Sequence, residues 1–135
     1  MPYNRALLVE AGERGGWPKA ERLRQLNKAI RQTDRNEERW LEAELFRRRG
    51  VLLAWGPEAD PIAAEADIRQ ARAIARAQGA KLWELRAVCS LWRAAGSADQ
   101  RREARDLLAP LYQPFTEGFD IGDLQEARAL LDRQQ

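Results

Sequence analysis

The chain has 135 residues, 33% of them charged and 44% apolar, with a net charge of +2. That length suits one domain with enough apolar mass for a core, and apolar runs such as residues 51–55 fall far short of the ~20 residues a membrane span needs. The sequence contains no histidine, which excludes Ser-His-Asp and Cys-His catalysis, histidine proton shuttles and the common zinc and iron sites.

The predicted elements are all helices, because β-branched residues are scarce and nowhere alternate with polar ones. Residues 3–14 form the first, ended by Gly15 and Gly16. The second starts at Trp17-Pro18, where the missing proline N–H costs nothing, and carries Leu23, Leu26 and Ile30 at spacings of three and four. The third covers 37–55, with Asn36 as its cap, and stops at Gly56-Pro57. The fourth runs over 61–78 to Gly79, and the fifth over 80–95 to Gly96. The sixth begins at Ser97, a capping residue, and ends near 111, short of Pro114. An elbow follows, then a seventh helix over 120–133 with Asp120 as its cap.

Comparing segments reveals an internal repeat. "AELFRRRGVLLAW" from Ala43 lies forty residues before "WELRAVCSLWRAA" from Trp83. In that register Glu44 matches Glu84, Leu45 matches Leu85 and Gly50 matches Ser90. The next helices continue it: Ala64 matches Ala104, Ile68 matches Leu108 and Ala71 matches Leu111. A small residue where one helix crosses its partner, then alanine with a large apolar residue four later, is the logic of a tetratricopeptide hairpin. The first pair is a weaker copy, with Ala29 in the place of Ala71 and Arg22 where Ala64 stands. The expected fold is therefore all-α, a single tetratricopeptide-like α-solenoid over 1–135. It has helical pairs over 3–33, 37–78 and 80–111 and a capping helix over 120–133. The last helix sets Ile121, Leu124, Ala127, Leu130 and Leu131 on one side, with Asp123, Glu126, Arg128 and Asp132 on the polar remainder, as a cap requires.

"RWLEAELFRRRGVLLA", "ARAIARAQGAKLWELRAVCSL" and "EARDLLAPLYQPFTEGFDIGDLQEARALLD" together resemble the C-terminal tetratricopeptide tail of large bacterial signalling ATPases. Those proteins often carry a class III adenylate/guanylate cyclase domain, or a winged-helix DNA-binding domain, at their N-terminus. The resemblance implies a detached or truncated tail, since no G-x-x-x-x-G-K-S/T phosphate loop occurs here. Arg48 departs from the family's leucine, and "WRAAGSADQ" departs from its leucine-rich stretch.

Tetratricopeptide geometry places Glu44, Arg47, Val51, Glu84, Ala87 and Leu91 on a concave face as candidate partner-binding residues. The recurrence of Glu44 and Glu84 there suggests a partner with positive groups. Tyr3, Leu7 and Leu8 form a face on the leading pair that a second subunit could cover, making a homodimer. No catalytic, cofactor-binding or metal-binding residue is expected. Twenty of the 23 basic residues are arginine, which keeps open a second reading: a regulatory nucleotide- or nucleic-acid-binding module acting through arginine-rich helices. Against it, Arg47, Arg48 and Arg49 fan over roughly 200 degrees of a helix and cannot form one patch, and acids are interleaved with arginines throughout. The start "MPYNRALLVEAGERGG" lacks an apolar export core and Cys89 is the one cysteine, so a cytoplasmic location is the expectation. Trp55 and Trp17, at loop edges, are the tryptophans expected to be exposed. The favoured function is a non-catalytic module that holds a protein or peptide.

Overall fold

The structure is a computed structural model, and it describes residues 18–33, 41–56, 58–116, 118 and 122–133. Among these it is all-α, with six helices: α1 (Lys19–Thr33), α2 (Glu42–Ala54), α3 (Pro61–Ala77), α4 (Lys81–Ala94), α5 (Ala98–Tyr112) and α6 (Gly122–Asp132). The predicted first helix with Tyr3, Leu7 and Leu8, Trp17, the Asn36 cap and start of the third helix, and the Asp120 cap all lie outside the described residues.

Local chemistry sets the boundaries that are described. Asp60 caps α3 by accepting from the Ala63 amide at 3.1 Å, and Pro61 occupies the first turn. At the other end Gly79 takes φ +70°. Its amide donates to Arg76 and the Ala80 amide to Ala75, at 3.1 and 2.9 Å, a Schellman closure that turns the chain straight into α4. Ser97 caps α5 through the Gln100 amide, while the Gln100 side chain accepts from the Gly96 amide at 2.7 Å.

Consecutive helices pack side by side, and α4 also touches the helices two before and two after it, α2 and α6. Gly50 shows how closely one pair approaches. A Cβ there would lie 2.6 Å from the Ile68 Cγ1 and 2.9 Å from the Ala64 carbonyl oxygen, so α2 crosses α3 at a point that excludes a methyl group.

Five of the six pairs matched at an offset of forty share their burial; the sixth does not, since Ala71 is buried and Leu111 only partly so. Leu45 and Leu85 are fully buried, as are Ile68 and Leu108, and Ala64 and Ala104; Gly50 and Ser90 are both buried. A third echo, at an offset of 39, was not anticipated: Glu84-Leu85 corresponds to Asp123-Leu124 on α6, and Leu124 is again buried. Each such leucine contributes about 1.5–3 kcal/mol by leaving water.

The core has two parts. Leu26, Ala29 and Ile30 of α1 meet Leu41 and Leu45, with Phe46, Leu52 and Trp83 alongside. The larger part joins Ile68 of α3, Leu85, Val88 and Trp92 of α4, Ala104 and Leu108 of α5, and Leu124, Ala127 and Leu130 of α6. The α6 stripe thus buries Leu124, Ala127 and Leu130, and Phe115 of the elbow packs against the same cluster. No described helix is long and apolar enough to cross a membrane.

Candidate functional site

Three alternate helices, α2, α4 and α6, line a cleft of about 430 Å³. Along α2 it exposes parts of Glu44, Arg47, Arg48 and Val51; α4 adds Arg86, Ser90 and Arg93; α6 adds Asp123 and Glu126. Of the six residues expected on a concave face, Glu44, Arg47 and Val51 are brought together here. Glu84, Ala87 and Leu91 are not. Glu84 faces Arg72 of α3 at 3.6 Å, Ala87 is buried, and Leu91 borders a neighbouring groove.

Glu44 and Glu84 also differ from expectation in kind. They are only 6% and 4% exposed. Both carboxylates face neighbouring helices, where internal arginines pair with them. Arg47 donates to the two Glu44 oxygens at 2.9 and 2.6 Å, Arg48 at 3.1 Å, and Arg86 reaches across from α4 at 3.3 Å. Burial pushes the Glu44 carboxyl up, but the Arg47 hydrogen bonds and the charges of Arg47, Arg86 and Arg48 outweigh it and hold it below the usual carboxylate range.

Arg86 is the centre of this network. It bonds Asp123 through Nε and Nη2 at 3.0 and 2.6 Å while its Nη1 faces Glu44, and its guanidinium lies 5.5 Å from the Trp83 ring. Burial opposes its charge; the Asp123 hydrogen bond and the Glu44 and Asp123 charges more than restore it, so its pKa lies above the ordinary arginine value. Arg93 pairs with Glu126 at 2.8 Å, and Arg47 donates to the Ser90 hydroxyl at 3.1 Å. Asp123 and Glu126, expected on the solvent side of the last helix, therefore turn into the cleft. Sequence reading missed them together with Arg86 and Arg93; the acid-leucine dipeptide recurring at 123–124 was the available signal.

The run Arg47-Arg48-Arg49 splits as its helical fan requires. Two members meet Glu44, while Arg49 leaves the cleft to bond Asp67 of α3 at 2.7 and 2.8 Å and Asn27 of α1 at 2.8 Å.

Beside the cleft, sharing Ala54, Trp55 and Ala94 with it, runs a second groove of about 500 Å³ between the C-terminal ends of α2 and α4 and the N-terminal ends of α3 and α5. Its walls are mostly apolar: Ala54, Trp55, Ile62, Leu91, Ala94 and Ala95. Trp55 is exposed, as expected from its place at a loop edge, and its backbone carbonyl accepts from Lys19 at 2.9 Å. No protein-family model, no curated protein and no solved structure matches the chain.

Proposed function

We propose that the chain is a non-catalytic partner-binding module, a short tetratricopeptide-like α-solenoid of the kind found as the tail of signalling ATPases. The observation that carries this reading is the sharing of one cleft by alternate helices. Residues of α2, α4 and α6 face a common space, and among the described residues none of α3 or α5 lines it. Stacked helical hairpins generate such a groove because the first helix of each pair lies on the inner side. The Gly50 crossing and the matched burial of positions forty apart support the same reading. A nucleic-acid role fits less well, since the arginines facing the cleft are paired with carboxylates instead of gathered on an open stripe.

The test is a selection against a displayed library of random peptides, followed by hydrogen-exchange or NMR mapping of the selected peptides on the protein. The expected footprint covers Arg47, Val51, Trp55 and Arg93. Failure to select any peptide, or a footprint on the outer faces of α3 and α5, would overturn the proposal.

A further inference from the structure

Among the described residues two large apolar side chains are exposed, Trp55 at 59% and Ile62 at 85%, and both border the same apolar groove. They come from different elements: Trp55 ends α2 and Ile62 stands in the first turn of α3. Either alone would be ordinary; two converging on one concave apolar surface mark a contact site. The arginine-bearing cleft opens into this groove at Ala54, Trp55 and Ala94. Its charged lining comprises four arginines (47, 48, 86 and 93) and three carboxylates, and three of the guanidiniums converge on Glu44 alone. The polar half thus carries one net positive charge, four arginines against three carboxylates, and the adjoining half is mostly apolar although Glu65 and Arg69 also line it.

We infer that this continuous surface takes a peptide segment of a partner protein that presents an acidic side chain to the arginine cleft and a large aliphatic or aromatic one to the Trp55–Ile62 groove. The inference rests on the partner-binding reading and adds to it the chemistry of the partner. Spacing follows from α2. Arg47 and Ala54 are seven residues apart on one helix, about 10 Å at 1.5 Å per residue. An extended peptide covers that length in about three residues, so the acid and the apolar anchor stand three positions apart. A basic segment would meet like charge at the cleft, and a uniformly polar one would leave the groove unfilled.

The experiment uses fluorescein-labelled ten-residue peptides in a serine-glycine background, read by fluorescence anisotropy against the full chain. One carries glutamate and leucine three positions apart; in matched peptides lysine replaces the glutamate or serine replaces the leucine. The glutamate-leucine peptide is expected to bind, with each replacement weakening it about tenfold or more, and added salt weakening it further. Ile62→Glu and Arg93→Gln on the protein should each reduce binding. Both side chains are largely exposed, so an unchanged melting temperature will show that the variants fold. Equal binding of the glutamate and lysine peptides would overturn the acidic half of the inference while leaving the groove a binding site. If library-selected peptides map to the groove but none of this set binds, the proposed chemistry is wrong and the module reading stands. If nothing binds in either experiment, both fail. Concentration-dependent dimerisation abolished by Ile62→Glu would assign the surface to a second copy of the chain and overturn the proposal.

Discussion

Replacing Gly50 with alanine should destabilise the protein although alanine is the better helix former. In an open helix the change stabilises by up to about 1 kcal/mol. Here the new methyl would sit 2.6 Å from the Ile68 Cγ1 and 2.9 Å from the Ala64 carbonyl oxygen, against ordinary contact of 3.4 Å and beyond. Neither neighbour can yield cheaply. Ile68 is fully buried and β-branched, and the carbonyl belongs to the backbone of α3. Relief therefore requires α2 and α3 to separate by roughly 0.5–1 Å, which forfeits a quarter to a half of the dispersion energy at each contact affected. Overpacking costs about 1–3 kcal/mol. With one contact on backbone and the other on a buried branched side chain, the upper part, about 2–3 kcal/mol, applies. A propensity gain of about 1 kcal/mol leaves a net loss of about 1–2 kcal/mol. At roughly 3–5 °C per kcal/mol for a domain of this size, the melting temperature should fall by roughly 3–10 °C in a calorimetric or circular-dichroism scan. Gly122→Ala is the control, because nothing lies within 4 Å of a Cβ at that position; it should be neutral or slightly stabilising. A Gly50→Ala protein melting at or above the wild-type temperature would refute the close crossing, and with it a main support for stacked hairpins.

Glu44 gives the acid limb of stability a definite sign: its carboxyl is held below its ordinary value of 4.5, so its contribution is present above that pH and is lost as pH falls through the lowered folded-state value. Urea titrations of Glu44→Gln between pH 7 and 3 should show a shallower decline than wild type; an unchanged slope would contradict the pairing. Burial, then the charges of Glu126 and Asp123, pushes the Cys89 thiol up to about 12, so a thiol reagent at pH 8 should label the protein only in denaturant, and rapid labelling of the native protein would show that α4 does not bury it. Ser97→Ala removes the acceptor for the Gln100 amide and should cost about 0.5–2 kcal/mol of unfolding free energy, with Ser97→Asp restoring most of it.

How much was legible in the sequence depended on the distance over which each signal acts. Pro61, Gly79 and Ser97 could be assigned as helix punctuation because a cap is made by neighbours three or four residues away, whereas the Asp60 cap emerged only with the structure. The offset of forty identified the buried set, since burial follows helix face and face follows spacing. Pairing of Glu44 with Arg47 and Arg48 lay within reach too, at three and four residues. The groove chemistry was not. Whether Glu44 faces a partner or Arg86 depends on how α4 leans on α2, forty-two residues away, and no local pattern encodes that lean. The same holds for Asp123, whose polarity suggested solvent on an end helix. Its carboxylate instead completes a pair with Arg86, at a repeat offset shortened by one residue.

These pairs raise the question of what they contribute, because ion pairs taken partly out of water seldom add net stability over apolar replacements. The apolar contacts of α2, α4 and α6 offer part of an answer. Leu45, Leu85 and Leu124 are the same residue with the same burial, though Leu45 packs in the smaller core cluster and the other two in the larger, so apolar contact alone discriminates weakly among these helices. The charges discriminate further. Displacing α4 by one turn would remove Arg86 from both Glu44 and Asp123 and leave Glu44, only 7% exposed at its side chain, short of its cross-helix partner. Breaking a buried pair outright costs about 3–5 kcal/mol; Glu44 would keep Arg47 and Arg48 of its own helix, so the cost is a part of that and falls mainly on Arg86 and Asp123. The cross-helix pairs of Arg86 thus favour this order among the helices over a shifted one. That role suits arginine, which outnumbers lysine twenty to three in the chain. A guanidinium presents five donors in a rigid plane and can hold carboxylates from two helices at once, as Arg86 does, whereas a lysine ammonium is a single point charge on a flexible stem.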